Sequence, residues 1–364
     1  MRIIYLHKAM LPSKSANSIQ VMKMMEALAK LGESELLLPN PCKKTDISSL
    51  YSSYGVSPTF GIKYVKTTNF IRKHSALFGF FFGRKACNEN AEYYLTRDPM
   101  TAFYIVMRGK HVFLELHGDV RQLCGRLYRI MRFKPFVESK FLHLGYITQT
   151  LKQYYGDIYG LKREDAIIVP DGCTIDETDV EAPKFESRLK IGYFGKFSEG
   201  KGIKLVKEIA CLDKDNDYHL YGGDKEAFES ICGFCPDNVV FHGRIDNCYI
   251  PDEMAKMNIL LLPNQEVQMN DGEDIGRFTS PLKLFEYMAS GRIIVASDLS
   301  VIREILDEKI AYLCDYTNPT EWCRCIKEIR DNEWKAKEKG VEAKKRAHDY
   351  TWESRAEKII QCIK

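Results

Sequence analysis

Apolar residues in this chain fall in short runs, each followed by a polar stretch and then by apolar positions at helical spacing. The first run is 3–6, and Ile19, Met22, Met25, Leu28 and Ala29 place a helix over 18–31 behind it. Gly32 closes that helix and 35–39 supplies a second strand, so the chain opens with a βαβ unit of the doubly wound type. Further strands are predicted at 93–96, 112–116, 146–148 and 167–169, with helices over 99–107 and through Tyr155. After Pro170-Asp171-Gly172 comes an acidic polar stretch that reads as a linker. The alternation then resumes with strands at 190–194, 218–221, 239–242, 259–262 and 293–296 and helices over 202–212, from 225 and over 251–257. Such a pattern predicts two α/β domains, 1–171 and 172–348, each a parallel sheet covered by helices. Helical spacing continues over 320–348 and again from 352 to 364, where Trp352, Ala356, Ile359, Ile360 and Ile363 share a face. A terminal helix over 349–364 can cross to the other domain.

Ligands of doubly wound sheets bind at the carboxyl ends of the strands, which singles out the polar residues there. In the first half these are Ser13, Lys14, Ser15 and Asn17 after the first strand, Arg97 and Asp98 after the third, and His117, Gly118 and Asp119 after the fourth. A histidine at a strand end can polarise a substrate hydroxyl near neutral pH, or it can be a hydrogen-bonded structural residue. In the second half, the 195–202 loop reads Gly-Lys-Phe-Ser-Glu-Gly-Lys-Gly and has the spacing of neither a Walker loop nor a dinucleotide fingerprint. Its chemistry lies in Lys196 and Lys201.

The 277–298 stretch, RFTSPLKLFEYMASGRIIVASD, carries the second candidate. Thr279 and Ser280 can cap a helix opening at Pro281, whose missing N–H suits a first turn. Amides near Leu282 and Lys283, with the helix dipole, would form an anion site facing the two loop lysines across one diphosphate. Glu286, one turn further in, could accept hydrogen bonds from a ribose diol. The plainer reading is a capped helix with Lys283 and Glu286 as a surface ion pair.

With 53 basic and 50 acidic residues the net charge is +3, so no global field calls for nucleic acid. Charge is local instead. Two stretches, 70–85 and 121–136, interleave aromatic residues with Arg72, Lys73, Arg84 and Lys85 or with Arg121, Arg126, Arg129, Arg132 and Lys134, and neither holds an acid. Aromatic groups beside cations suit an anionic bilayer surface, where each basic residue adds ~1 kcal/mol. No run approaches the roughly 20 apolar residues that span a bilayer, and no signal peptide is evident. The twelve cysteines show no disulfide framework, which fits free thiols in a reducing cytosol. Cys232 and Cys235 form a CxxC whose use as a zinc site would require His219, His242 or Cys248.

Taken together, Gly195-Lys196, Lys201-Gly202, the strand end at Pro263, the block from Ser280 to Ala289 followed by Gly291, and His117 in Glu115-Leu116-His117-Gly118 resemble the retaining glycosyltransferases of family 4. The resemblance covers nearly the whole chain. It implies the GT-B fold, two Rossmann-like domains facing across a cleft, with the final helix returning to the first. It further implies that Lys196 and Lys201 bind the diphosphate of a UDP- or GDP-type sugar donor, that Glu286 holds the ribose, that His117 lies at the reacting centre, and that 241–245, with Arg244, lies near the base. Ser280, Pro281, Leu282 and Lys283 complete the implied donor site, with no cofactor or metal. The acceptor would be a hydroxyl of a saccharide, lipid-linked in surface polysaccharide or glycan assembly, reached by a cytoplasmic protein peripheral to the inner face of the membrane. One position departs. Many members carry an acid eight residues before the matching glutamate, where this chain has Phe278; Asp271, Glu273 or Asp274 could take its role. A GT-B scaffold without turnover and a GT-B-fold epimerase are the alternatives.

Overall fold

The computed structural model describes residues 1–9, 11–13, 15–40, 46–68, 70–71, 74–176, 183–270 and 273–364. Lys14, Arg72, Lys73 and Asp271 lie outside the described residues. Two units emerge, one of Met1–Asp171 with Trp352–Lys364, the other of Gly172–Thr351.

In the first unit, β1 (Arg2–Leu6), β2 (Glu33–Pro39), β3 (Gly61–Val65), β4 (Tyr93–Thr96), β5 (His111–Leu116), β6 (Leu142–Tyr146) and β7 (Ile167–Ile168) form one sheet in the order β3-β2-β1-β4-β5-β6-β7. All neighbours are parallel. Strand order reverses between β1 and β4, so their following loops part and open a crevice at the carboxyl edge. The strand expected at 146–148 lies earlier. Gly145 interrupts its apolar pattern because an added Cβ would come within 2.2 Å of the Phe113 ring. Thr148 instead caps the Gln149–Tyr159 helix, accepting from the Leu151 amide at 3.1 Å.

The terminal helix Trp352–Ile363 belongs to this unit and buries Trp352, Ala356, Ile359, Ile360 and Ile363, together with Arg355. Full burial of each large apolar side chain contributes roughly 1.5–3 kcal/mol.

The two basic aromatic stretches are only partly surface. In the Ser75–Cys87 helix, Phe78 and Phe82 are buried and stack at 4.7 Å, while Leu77 and Phe80 point outward. Gly79 and Gly83, one turn apart, let this helix cross closely over Pro99–Met107: a Cβ on either would come within 2.4 Å of Met100 or 2.9 Å of Tyr104. In 121–136, Met131 and Phe136 are core and Leu127 and Phe133 are exposed. Arg121 is braced by Asp119 at 2.6 Å, and Arg132 donates to the Ile158 carbonyl at 2.8 Å.

In the second unit, β8 (Lys190–Phe194), β9 (Asp217–Tyr221), β10 (Val239–Gly243) and β11 (Ile259–Leu262) precede a short antiparallel hairpin, β12 (Met269–Asn270) with β13 (Glu273–Asp274). β14 (Ile293–Ser297) and β15 (Tyr312–Cys314) complete a parallel sheet ordered β10-β9-β8-β11-β14-β15. Both faces are covered, one by Ile203, Val206, Ile209, Trp322 and Ile326, the other by Leu284, Phe285, Met288 and Ile302. That explains why β11 and β14 read as unbroken apolar runs. The pattern over 320–348 divides into Pro319–Asp331 and Glu333–Ala347, parted at Asn332.

Candidate functional site

β8 and β11 pair only at Ile259 with Ile191 and Leu260 with Gly192, then separate. Tyr287 fills the gap. Its buried hydroxyl accepts from the Phe194 amide at 3.1 Å and donates to the Leu261 carbonyl at 3.3 Å. This anchors the Leu282–Ser290 helix at the fork, with its N-terminus at the carboxyl edge. Leaving a buried strand group unpaired costs ~1–3 kcal/mol. Tyr287→Phe is therefore expected to lower the stability of the second unit by about 2 kcal/mol in urea unfolding, and an unmoved midpoint would refute this role.

The 195–202 loop folds onto the same edge. The buried Tyr193 hydroxyl donates to the carbonyls of Lys196 (3.2 Å) and Lys201 (3.3 Å), so one phenol shapes both ends of the loop. Gly202 has φ +77° and Gly222 φ +135°, and a Cβ on them would lie 1.8 Å from the Pro263 oxygen and 2.0 Å from the Gly195 oxygen. Only glycine permits these approaches. The Gln265 amide donates to the Gly200 carbonyl at 3.0 Å, tying the loop to the segment after β11.

Three lysines meet here. Lys196 is exposed and Lys201 half-buried; burial and the nearby Lys196 lower the Lys201 pKa. Lys283 is not on the surface as an ion pair would require. Its Nζ is shut off from solvent and has no hydrogen-bond partner among the described residues, 4.7 Å from the centre of the Tyr193 ring. Burial and the Lys201 charge pull its pKa down to about 7, against a smaller opposing effect of Glu286. Clustered cations at the N-terminus of a nine-residue helix are an arrangement that could hold an anion.

Other expected details differ. The helix begins at Leu282, with Pro281 in the cap position and no side-chain cap. Thr279 is engaged elsewhere, donating to the Ile275 carbonyl at 2.6 Å. Phe278 is buried beneath the Arg277 guanidinium, 5.4 Å away, in a Gly276–Phe278 turn. Asp274 holds that turn, its Oδ1 accepting from the Gln268 (2.8 Å) and Gly276 (2.9 Å) amides. Arg244 follows β10 and donates from Nε to the Gly222 carbonyl at 3.2 Å. His219 and His242 hydrogen-bond each other at 2.9 Å, and among the described residues no three His, Cys, Asp or Glu are placed to hold a metal.

The first unit gathers its polar groups at its own β1/β4 reversal. Glu115, near the end of β5 and 3% exposed, accepts from Gln20 at 3.1 Å and pairs with Arg355 at 2.9 Å, Arg97 at 3.3 Å and His117. Burial disfavours its charge, yet the Arg355 and Arg97 guanidiniums, with the His117 contact, hold its pKa well below the usual carboxylate range. His117 keeps 26% of its side chain accessible. Burial and the Arg97 charge lower its pKa to about 4 despite Glu115. Behind it, His7 accepts the Ala9 amide at Nδ1 (3.0 Å), so its Nε2–H donates to Asn17 Oδ1 (2.9 Å), which also receives Arg97. The remaining loop residues serve the backbone: Ser15 caps the Ala16–Leu31 helix and the Ser13 backbone pairs with the Tyr54 hydroxyl. Asp119 caps Val120–Cys124 and accepts from Tyr154 and Tyr159 at 2.8 and 2.5 Å.

Pattern reading missed Glu115 as an acid inside a buried strand, and Arg355. Both left a signal. An acid among Val112, Phe113, Leu114 and Leu116 requires a partner, and Arg355 shares the buried face of Trp352 and Ile359 at helical spacing.

The sequence profile described as Glycosyl transferases group 1 matches residues 188–332. Phosphatidyl-myo-inositol mannosyltransferase from Mycobacterium leprae is 26% identical over 160 residues, 41% of this chain and 40% of that protein, so the match spans about two fifths of that relative. Among solved structures, sucrose-phosphate synthase from Thermosynechococcus elongatus superposes with a TM-score of 0.71 at 15% identity, over 99% of this chain and 97% of that one. Anabaena HepE, solved with UDP and glucose, gives 0.69 at 12% identity over 98% of each chain. At such identities these likenesses establish the fold. The chain thus has the GT-B fold of glycosyltransferase structures, and its second unit carries a glycosyl transferases group 1 domain.

Proposed function

We propose that the protein is a retaining glycosyltransferase that moves a sugar from a UDP- or GDP-type donor to a hydroxyl of a lipid-linked saccharide. The observation that carries this reading is the buried Lys283 ammonium, without a hydrogen-bond partner among the described residues, beside Lys201 at the start of the Leu282–Ser290 helix. Lys196, Lys201, Lys283 and the Leu282 and Lys283 amides neutralise the leaving diphosphate, as a divalent ion does elsewhere. Ser280 and Pro281 shape the entry to that helix. Glu286 accepts from the ribose diol, Arg244 lies beside the base, and His117 contacts the donor sugar at the reacting carbon. Retention follows from same-face substitution assisted by the departing phosphate. The first unit binds the acceptor and the second the donor. The Anabaena relative, solved with UDP, supports a nucleotide donor. The test is turnover of a panel of nucleotide sugars on lipid-linked saccharides: wild type releases nucleotide diphosphate, and Glu286→Ala lowers kcat/KM by about 100-fold or more. Binding without turnover in wild type would favour a scaffold, which the buried Phe278 in place of an acid motivates.

The acceptor would be met at the cytoplasmic face of an anionic membrane. Support comes from the outward parts of 70–85 and 121–136, which flank one helix: Phe80 packs on Tyr104 at 4.8 Å and Phe133 on Phe103 at 6.2 Å. Leu77, Phe80, Leu127 and Phe133 stand exposed among Arg84, Lys85, Arg126 and Arg129. In flotation with phosphatidylglycerol vesicles, the wild type is expected to rise with the lipid, and a Leu77→Ser/Phe80→Ser/Phe133→Ser variant to stay behind. Equal flotation of both would contradict this surface.

A further inference from the structure

Among the described residues, every hydrogen-bond and ion-pair partner of the Glu115 carboxylate is a donor. Oε2 receives Arg355 Nη2 at 2.9 Å; Oε1 receives Gln20 Nε2 at 3.1 Å, stands 3.3 Å from Arg97 Nη2 and meets His117 Nε2. Arg355 is itself fixed. Nε donates to the Pro170 carbonyl at 2.7 Å, Nη2 to the Val169 carbonyl at 3.1 Å, and Nη1 lies 3.3 Å from Met24 Sδ. A carboxylate so surrounded has only acceptor capacity to offer. Its contact with His117 Nε2 therefore requires a proton on that nitrogen.

We infer that Arg355 and Glu115 are positioning residues that lock His117 in its Nε2–H tautomer, leaving Nδ1 as a hydrogen-bond acceptor for a hydroxyl of the bound sugar. The inference rests on the proposed function for the identity of that hydroxyl, and on geometry alone for the tautomer. The groups facing His117 and Glu115 include Tyr5 on β1, His7 after β1, Arg97 after β4, Asp171 after β7 and Arg355 on the terminal helix. Arg97 and Arg355 also oppose an imidazolium, which would present two donors and no acceptor. His117 then orients a sugar hydroxyl by accepting its proton's hydrogen bond and is no proton donor to the leaving group. The closing helix, remote in sequence, sets the chemistry of the strand-end histidine.

The experiment is 15N NMR of the intact protein labelled at histidine, without substrate, between pH 6 and 8, on wild type, Arg355→Lys and Glu115→Asp. Wild-type His117 is expected to carry its proton on Nε2 throughout. Arg355→Lys keeps the charge but loses the fork, and Glu115→Asp withdraws the carboxylate by one methylene, so each is expected to show a mixed tautomer. In transfer assays each is expected to lose about tenfold in kcat with donor KM unchanged, since only the fraction in the right tautomer is competent. A merely structural Arg355 would lower Tm in Arg355→Lys and leave tautomer and kcat intact, which overturns the inference. So does a wild-type ring protonated on Nδ1. Because the spectra need no substrate, a correct tautomer with no turnover of any nucleotide sugar defeats the proposed function and leaves the tautomer assignment standing.

Discussion

Arg355→Met is expected to destabilise the first unit by about 3–5 kcal/mol, the usual cost of removing one partner from a buried charge pair. The size follows from what the guanidinium does. It lies 4% exposed on the terminal helix, pairs with the 3%-exposed Glu115 and supplies the donors for two carbonyls in the segment after β7. Methionine fills much of the same volume, so packing loss is minor and the penalty is mainly the buried carboxylate losing the guanidinium on Oε2, with Arg97, Gln20 and His117 all gathered on Oε1. Urea unfolding followed by fluorescence measures it, with Arg355→Lys as the milder companion. A loss under ~1 kcal/mol would show that Arg97 compensates fully and that the terminal helix is held by its apolar face.

Second in size is the proposed donor site. Lys201→Ala and Lys283→Ala are each expected to weaken UDP binding by roughly 10- to 150-fold, corresponding to ~1.5–3 kcal/mol for a hydrogen bond to a charged group. Lys196 is exposed, so Lys196→Ala should cost less and its effect should fade with added salt. The pH dependence has a definite sign. In the free protein Lys283 has a pKa of about 7, and a bound diphosphate raises it by supplying the missing counter-charge. Binding therefore takes up a proton near and above neutrality. Affinity should be greatest below pH 7 and decline as pH rises from 7 toward the raised pKa of the complex, by up to tenfold per unit. Calorimetry in buffers of different ionisation enthalpy reads the proton directly, and Lys283→Met should abolish the uptake.

Much of the fold was legible because a buried parallel strand has few alternatives. Ile259–Leu262 and Ile293–Ser297 are covered on both faces and show as apolar runs. Gly61–Val65, at the sheet edge with an alternating exposure and a lysine at its centre, did not stand out. The Leu142–Tyr146 strand was displaced in the reading by Gly145, whose small size is a packing demand invisible to periodicity. In the candidate site, the placement of Lys196 and Lys201 after a strand and of Lys283 and Glu286 on a helix was legible. The phenols of Tyr193 and Tyr287, which hold the loop and plug the strand fork, were not: an aromatic residue in an apolar run looks like core, and only the fold shows which backbone groups its hydroxyl meets. The basic aromatic stretches show the converse error. Phe78, Phe82, Met131 and Phe136 had the composition of a surface patch and are core, since cations at either end of a run say nothing of which face turns inward.

We propose that the lysines at the head of the Leu282–Ser290 helix grip the diphosphate of a nucleotide sugar. The most direct test is calorimetric titration of wild type and a Lys201→Ala/Lys283→Ala variant with UDP- and GDP-sugars at pH 6.5. One tight site is expected on wild type for one of the two bases, with a loss of more than about 100-fold in the double variant and the fold unchanged by circular dichroism. Equal affinity in the two proteins would contradict it.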